Sequence, residues 1–365
     1  MTSDTARPRV RTTLLVVLPV VLACLGMLEI GLRVAGRPPS SNTDGIFEEY
    51  GDGAYRLQRN VSRRSTTRSF SCTLSTNAFG LRDRGPGKRD LARPYLAWMG
   101  DSATFGNGVD FEESFVGLFG DLAARRGIEV VNLAVGGHHI AEQQDMLREF
   151  LAVAPRPPER VIFVFTPQML ALFDRSYHDL MVKEGYLFPR KGWRIPYLVM
   201  TLGNASSAYC FFRDAVRKLQ YRWMPNSNGG APVVAPLSAS GSPVVAETVD
   251  AKLRELDAQI WRAGAEPVYV FLPTAMDLGK PEMRGAARTL AASPAGSALG
   301  VLSRHCAEGG IRLVDLSPIL QAVHASGRPM TFAEDMHFVP SIHVVIGQAL
   351  YDQIMGKNDC PSPSR

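Results

Sequence analysis

Residues 95–119 read YLAWMGDSATFGNGVDFEESFVGLF, an apolar five-residue run followed at once by Gly100-Asp101-Ser102 and then by a helical pattern. Short apolar runs of this kind are typical of buried parallel strands. A turn directly after such a strand places Ser102 at the carboxyl edge of the sheet, where open α/β sheets form their crevices. The next helix offers unpaired N–H groups to an anion at the same edge. The stretch therefore predicts a reactive serine, although a Gly-Asp-Ser turn alone can also be an ordinary helix cap.

Four further apolar runs rich in β-branched residues follow, at residues 128–135, 161–165, 268–272 and 311–314. Helical patterns separate most of them, because apolar residues recur at a spacing of about 3.6 between neighbouring runs. Strands that alternate with helices are typical of parallel sheets covered on both faces. The sequence therefore predicts an α/β fold with three layers, α/β/α, around a mainly parallel five-stranded sheet.

A base for the serine is expected in the late segment 334–340, which reads EDMHFVP. A serine hydroxyl near neutral pH needs an adjacent base, and that base needs a third group to fix its tautomer. His337 and Asp335 supply both, since a two-residue spacing in a loop lets the carboxylate reach one ring nitrogen while the other faces the serine. Glu334 remains a competitor for the carboxylate position.

The motifs resemble those of the SGNH/GDSL hydrolase family, over about residues 77–354. Residues 100–106 are close to the family form G-D-S-x-T-x-G, and residues 335–343 are similar to its late D-x-H-F-N-P-x-G-H segment. The resemblance implies the flavodoxin-like SGNH fold, with Ser102 as nucleophile, His337 as base and Asp335 as its orienting carboxylate.

The resemblance also implies an oxyanion hole. Residues 132–137, NLAVGG, are similar to the family block whose last glycine donates its N–H, so Gly137 takes that role with Gly136 as the near alternative. The N–H of Ser102 is the second donor. The third is an asparagine in the family, but Gln168 stands at that position here, which is a departure from the pattern.

An apolar run from residue 12 to about residue 35 follows three arginines, Arg7, Arg9 and Arg11. Its apolar core is near the lower limit for a span, which needs about 20 residues. The preceding arginines place the N-terminus in the cytoplasm and the rest of the chain outside it. We expect an uncleaved anchor, and the rival is a cleaved lipoprotein signal, because residues 21–24 (VLAC) resemble a lipobox ending at Cys24.

The chain is therefore expected to divide into five segments. They are a cytoplasmic basic N-terminus (1–11), a transmembrane signal anchor (12–35), an extracytoplasmic connector (36–93), the hydrolase domain (94–356) with an aromatic-rich insertion at about 174–247, and a tail (357–365). The aromatic residues of the insertion either line a pocket or pack inside a small helical subdomain of their own.

Composition limits the partners. The chain has 365 residues, a net charge of +5 and 45% hydrophobic residues, which is ordinary for a folded protein. The basic residues of the stretch 56–93, Arg82 among them, are expected on a solvated face, and no basic run is interleaved with aromatics, so nucleic acid is not an expected partner. His138 and His139 are adjacent and cannot both face one ion from a regular element, so they are expected at a loop surface or pocket, and no metal or cofactor is expected.

The leading expectation is an exported, membrane-anchored serine hydrolase that acts on O-acyl esters through an acyl-serine intermediate. Its partners would be an acylated small molecule or cell-surface glycan, and the membrane through the N-terminal helix. One alternative is an O-acyltransferase that modifies a cell-surface polysaccharide, which the resemblance to anchored members implies. Another is a glycan-binding or assembly protein that kept the fold without activity, to which the Gln168 departure lends support.

Overall fold

The computed structural model describes residues 6–37, 39, 45–50, 54–67, 69–87, 89–171, 180–223, 243–278, 297–333 and 335–356. The chain divides into two compact units. The α/β unit comprises residues 44–191 and 236–365, and the helical unit comprises residues 1–43 and 192–235.

Eleven strands lie in the described residues: β1 Phe47–Tyr50, β2 Ala54–Leu57, β3 Ser62–Thr66, β4 Ser71–Ser75, β5 Tyr95–Met99, β6 Glu129–Asn132, β7 Arg160–Phe165, β8 Leu180–Lys183, β9 Tyr186–Pro189, β10 Glu266–Phe271 and β11 Arg312–Asp315. The described helices are α1 Ala6–Val34, α2 Ser102–Phe105, α3 Phe115–Ala124, α4 Ile140–Val153, α5 Pro167–Ala171, α6 Arg194–Ala205, α7 Ser207–Trp223, α8 Pro243–Arg262, α9 Ala275–Leu278, α10 Ala298–Gly309, α11 Ser317–Ala325 and α12 Pro340–Ile354.

The central sheet has five parallel strands in the order β11-β10-β7-β5-β6, which confirms the predicted fold class. The strand order reverses between β5 and β7, because the chain first adds β6 on one side of β5 and then adds β7 on the other. Ligands of doubly wound sheets bind in the crevice at such a switch point, beyond the carboxyl ends of the strands. The residues after β5 and β7 therefore border the natural crevice of this fold.

Alternate residues of β5 pack on opposite faces of the sheet. Tyr95, Ala97 and Met99 belong to a core that includes apolar residues of α4, α8 and α10. Leu96 and Trp98 face the other core, which is built from α3, α11 and α12. The strand is buried on both sides, which is why its sequence is a continuous apolar run and not an alternating one.

The segment before the sheet folds into two antiparallel hairpins, β1–β2 and β3–β4, within the α/β unit. Tyr55, Leu57 and Leu74 of these hairpins share an apolar cluster with Phe105 and Ala134, which follow β5 and β6. The hairpins are thus packed against the loops at the carboxyl edge of the sheet.

Arg82 is a correction to the expectation of a solvated basic face. Its guanidinium is buried, donates to the carbonyl oxygens of Thr73 and Val109 at 3.2 and 3.0 Å, and lies over the ring of Phe105 with its Cζ 5.2 Å from the ring centroid. Backbone carbonyls and an aromatic face replace the water that a buried cation loses.

The helical unit contains α1, α6 and α7. Within α1, residues Val17–Val34 have a mean hydropathy of 2.0 and are long and apolar enough to cross a membrane by length and composition. A signal sequence passes the same test. The helix begins at Ala6, six residues before the apolar run identified in the sequence.

Candidate active site

The turn after β5 holds Ser102 through a network of buried polar groups. Asp101 caps α2 by accepting the N–H of Ala103 at 2.9 Å, and its other carboxylate oxygen accepts the hydroxyl of Thr166, which follows β7, at 2.5 Å. Gly100 is required here, because a Cβ at this position would lie 2.2 Å from the Oγ1 of Thr104. The turn is therefore tied to both strands that border the switch point.

Gln143 of α4 is a positioning residue that sequence reasoning missed. It is fully buried, donates to the carbonyl oxygen of Gly100 at 2.8 Å and accepts the N–H of the same residue at 3.2 Å. The side chain of Gln143 thereby satisfies both the backbone N–H and the carbonyl oxygen of Gly100. A signal existed in the sequence, because Gln143 lies on the same helix face as Ile140, Leu147 and Phe150, where an apolar residue is the norm.

Ser102, His337 and Asp335 form a continuous hydrogen-bonded chain. The Oγ of Ser102 lies 2.8 Å from His337 Nε2, and His337 Nδ1 lies 2.5 Å from Asp335 Oδ1. The same carboxylate oxygen accepts the backbone N–H of His337 at 2.8 Å, which fixes the loop between them. Glu334, the competing carboxylate, lies outside the described residues.

The contacts between Asp335 and His337 indicate which of their atoms carry protons. Burial favours the neutral acid, but the hydrogen bonds and charge of His337 hold the pKa of Asp335 below its usual range, so Asp335 is an acceptor. His337 therefore carries its proton on Nδ1, and its Nε2 lone pair faces the hydroxyl of Ser102. This tautomer is inferred from the hydrogen-bond network, and it is the one that a general base requires.

Asn107 also contacts His337. The sequence analysis missed this residue, although it directly follows the motif Gly100–Gly106. Its side-chain amide lies 3.2 Å from His337 Nδ1, and its backbone N–H donates to the carbonyl of Ser102 at 3.1 Å. Since Nδ1 carries a proton, the orientation that matches it places the amide oxygen of Asn107 toward the ring, as a second acceptor beside Asp335.

The loop after β6 lies beside Ser102. Asn132 holds it, donating to the carbonyl of Thr104 at 2.9 Å and accepting the N–H of Ala134 at 3.0 Å. A Cβ built on Gly136 would be 3.7 Å from the Cβ of Ser102, so the loop after β6, which contains Gly136 and Gly137, lies against Ser102.

Tyr55 of β2 holds the other side of this glycine loop and was also missed. Its hydroxyl donates to the carbonyl of Gly136 at 3.1 Å, and burial, together with the charge of Glu142, raises its pKa, so it stays a donor. The carbonyl of Gly136 and the N–H of Gly137 belong to one trans peptide and point in opposite directions. The N–H of Gly137 therefore points away from Tyr55.

Two backbone N–H groups at this edge are available to a ligand. Within the described part of the chain, neither the N–H of Ser102 nor that of Gly137 has a protein acceptor. Ser102 is the first residue of α2, where the N–H has no partner inside the helix.

Gln168 lies in the wall of the same cleft, in α5 directly after β7. Its side-chain amide donates to the Sδ of Met336 at 3.3 Å. A thioether is a weak acceptor. The structure thus places Gln168 in the wall of the cleft that contains Ser102. Its amide N–H donates to a weak acceptor, which a stronger acceptor would displace.

The two histidines of the 138–139 pair have separate structural roles. His138 is buried, its Nε2 lies 3.0 Å from the carbonyl of Tyr55, and burial lowers its pKa to about 4, so it is not the loop-surface or pocket residue expected from the sequence. The backbone N–H of His139 donates to Glu142 at the start of α4. Among the described residues, no group of three His, Cys, Asp or Glu side chains could hold a metal ion.

A cleft that opens to solvent lies beside the serine. Its walls are mainly apolar and come from the residues that follow β5, β7 and β10 and from the histidine loop: Asp101, Ser102, Ala103, Thr166, Gln168, Leu272, Pro273, Thr274, Met336, His337 and Phe338.

The five-stranded order, the Gly-Asp-Ser turn at the switch point and the late Asp-x-His loop occur together in one unit. This architecture, a five-stranded parallel sheet with flanking helices, is consistent with the fold that the resemblance to the SGNH/GDSL hydrolases implies. The sequence motifs meet at one edge of the sheet, and the first and last of them lie 235 residues apart.

Comparison with solved structures finds chains that are similar to this one. A member of the lipolytic protein G-D-S-L family from Veillonella parvula is similar, with 11% identity, a TM-score of 0.41, and coverage of 72% of this chain and 98% of that chain. The acetyl xylan esterase AlAXEase has 10% identity, a TM-score of 0.38 and coverage of 71% and 99%. The esterase EstA from Pseudoalteromonas has 13% identity, a TM-score of 0.38 and coverage of 72% and 96%.

The activities named are those of the other proteins. No protein-family model matches the chain, and no curated protein matches its sequence.

Proposed function

We propose that the protein is an ester hydrolase of the SGNH type that acts on O-acyl esters through an acyl-serine intermediate. The observation that carries the proposal is the chain of contacts from Ser102 Oγ to His337 Nε2 at 2.8 Å and from His337 Nδ1 to Asp335 Oδ1 at 2.5 Å. A hydroxyl, a correctly oriented base and a carboxylate in this order are the parts that nucleophilic acyl transfer needs.

In the first half of the proposed reaction, Ser102 Oγ attacks the ester carbonyl carbon and passes its proton to His337 Nε2. The oxygen of the tetrahedral intermediate accepts from the N–H groups of Ser102 and Gly137, and Gln168 is the proposed third donor. His337 then donates its proton to the leaving alkoxide, the C–O bond of the ester breaks, and the acyl group stays on Ser102.

In the second half, a water molecule enters and gives its proton to His337 as its oxygen attacks the acyl carbon. The same N–H groups stabilise the second tetrahedral intermediate. Collapse releases the carboxylic acid, and the proton returns from His337 to the oxygen of Ser102. Asp335 remains ionised throughout and stabilises the imidazolium that forms in each half.

The mainly apolar walls of the cleft, which include Leu272, Pro273 and Phe338, support an acyl group as the substituent beside Ser102. The alcohol part of the ester, including a glycan hydroxyl, would lie on the open side.

We further propose that α1 anchors this enzyme in a membrane with the α/β unit outside the cytoplasm. Residues Val17–Val34 support a span by length and composition, and the arginines before them support a cytoplasmic N-terminus.

The decisive experiment is intact-mass analysis of the detergent-solubilised full-length protein mixed with p-nitrophenyl acetate. We expect a mass increase of one acetyl group, which is absent in Ser102→Ala, together with release of p-nitrophenol. Ser102→Ala, His337→Ala and the double variant should lose nearly the same activity, because the two residues act as a unit. Wild-type turnover in folded Ser102→Ala would refute the proposal, and acetyl transfer to an added glycan in preference to water would indicate a transferase.

A further inference from the structure

Exposed apolar side chains are concentrated in the helical unit. Of the nineteen large apolar side chains exposed among the described residues, fifteen lie in this unit and four in the α/β unit. Nine of the fifteen belong to α1. The other six lie on α6 and α7: Ile195, Leu198, Leu202, Phe211, Phe212 and Val216. Isolated exposed apolar residues are normal, but such a concentration marks an interaction surface.

The apolar residues of α6 form one stripe. Ile195, Leu198 and Leu202 follow each other at intervals of three and four residues, so they share a face of the helix, and Ile195 is 74% exposed. Met200 and Gly203 are the buried residues of α6, and they lie on a different face. The helix therefore has two apolar faces, of which packing inside the protein covers one.

Polar side chains border the stripe of α6. Arg194 and Thr201 are exposed and lie on one flank of the stripe. A basic residue beside an apolar stripe is typical of helices that bind at the boundary between lipid headgroups and acyl chains.

Two charged residues of α1 hold the corner between α6 and α7. Glu29 accepts the backbone N–H groups of Ser207 and Ala208 at 3.0 and 2.8 Å and the hydroxyl of Ser206 at 2.9 Å, so a carboxylate of α1 caps the N-terminus of α7. Arg33 donates to Glu29 at 2.6 Å and to the carbonyl of Ala205, at the end of α6, at 2.9 Å.

These contacts determine where the hairpin formed by α6 and α7 meets α1. Glu29 and Arg33 belong to the C-terminal turns of the apolar segment Val17–Val34. Charged groups in a span are tolerated near its ends and when paired. The corner of the hairpin is thus held at the end of the apolar segment, where the chain would leave the hydrocarbon layer.

We propose that the α6–α7 hairpin lies on the outer surface of the membrane at the exit of α1, with the Ile195, Leu198 and Leu202 stripe among the lipid acyl chains. The occupant of this apolar face is the lipid bilayer, because the face belongs to the same compact unit as α1, and Glu29 and Arg33 hold the neighbouring corner at the end of the apolar segment. The inference rests on the proposed anchoring and is independent of the proposed hydrolysis.

The test uses the full-length protein in liposomes of phosphatidylcholine and phosphatidylglycerol that contain a phospholipid with a diazirine on its acyl chain. After illumination, mass spectrometry locates the lipid adducts. We expect adducts on α1 and on the 195–202 stripe. Leu198→Asp should lower labelling of α6 by about fivefold, since a charge opposes insertion of the stripe. Thr201→Asp, at an exposed polar position beside the stripe and not in it, is the matched control and should stay within about twofold of wild type.

The outcomes separate the proposals. Adducts on α1 with none on α6 would overturn the placement of the hairpin and leave the anchor intact. Adducts on neither helix would refute the anchor and this inference together. Crosslinks that join α6 to a second copy of the chain, in place of lipid, would also overturn it. Ser102→Ala should give the wild-type labelling pattern, so a failure of the hydrolase proposal cannot be mistaken for a failure of this one.

Discussion

At Gly137 the backbone has φ of +83°, and a Cβ there would lie 2.7 Å from the hydroxyl oxygen of Tyr55. Only glycine adopts this conformation readily, and only glycine leaves room for the tyrosine. The hydroxyl that excludes a side chain also donates to the carbonyl of Gly136 at 3.1 Å. This bond orients and polarises the peptide whose N–H is the proposed oxyanion donor.

Tyr55→Phe should therefore lower kcat about fivefold with little change in KM, since a hydrogen bond of this kind contributes about 1 kcal/mol and the N–H acts mainly in the transition state. Tyr95→Phe is the matched control, because Tyr95 donates to the carbonyl of Arg156 at 2.6 Å, at the opposite end of β5. Ester hydrolysis and thermal unfolding are measured for both variants. Equal kcat values in the two variants would show that the Tyr55 bond is merely structural.

Gln168 is the residue where the chain departs from the family pattern. Its amide now donates to Met336 Sδ at 3.3 Å, a weak bond that a developing oxyanion would displace. We expect Gln168→Ala to lower kcat by about 10² with little change in KM, the usual loss for one preorganised donor. Met336→Leu, which removes the sulfur but keeps the volume, should leave kcat unchanged or raise it. A Gln168→Ala variant within about twofold of wild type would exclude Gln168 from the hole.

At the scale of elements, α8 and α10 are joined by a buried histidine between two carboxylates. His305 Nδ1 lies 2.8 Å from Asp250, and its Nε2 lies 2.8 Å from Asp257. Arg254 binds Asp250 at 2.9 Å, and the hydroxyl of Tyr269 donates to Asp257 at 2.6 Å. Burial opposes the charged imidazole, but the two carboxylates outweigh it and raise the pKa of His305.

The raised pKa predicts a pH dependence of stability with a definite sign. The native state binds the proton of His305 more tightly than the unfolded chain, so the stabilisation is complete below about pH 6.5, the unfolded pKa, and is lost as the pH rises through the native pKa. Urea unfolding at pH 6 and pH 9, followed by circular dichroism, should show that His305→Gln destabilises the protein more at pH 6. His324→Gln, at an exposed position of α11, is the control. An equal effect of His305→Gln at both pH values would contradict the prediction.

At the scale of the whole molecule, the position of Cys24 separates the two exported forms. Cys24 is exposed within the apolar segment of α1, with ten residues of that segment after it. We expect the full-length chain to resist extraction from membranes by carbonate, and mass analysis to find residues N-terminal to Cys24. Cys24→Ser should behave identically. A mature chain that begins at a lipid-modified Cys24 would show instead that the lipobox is used.

Local patterns in the sequence were sufficient for the sheet and for the serine, histidine and aspartate that the structure brings together. Each of the five parallel strands is buried on both faces and is therefore a continuous apolar run. The polar residues Ser102, Asp335 and His337 lie in short segments with a recognisable spacing. The proposed segment boundaries and site roles stay predictions. The surroundings of Arg82 and His138 were predicted wrongly, because burial depends on neighbours that are distant in sequence.

The sequence by itself therefore determined the fold class and the choice of Ser102, His337 and Asp335 as candidates, since periodicity and turn chemistry are local properties. Only the tertiary structure decided which side chains hold the site in place. Tyr55 reaches Gly136 across 81 residues and Gln143 reaches Gly100 across 43, and neither residue belongs to a motif. In the same way, Glu29 meets Ser207 across 178 residues. Such contacts arise when packing brings two elements together, and a hydrogen bond between distant residues has no local pattern from which it can be read.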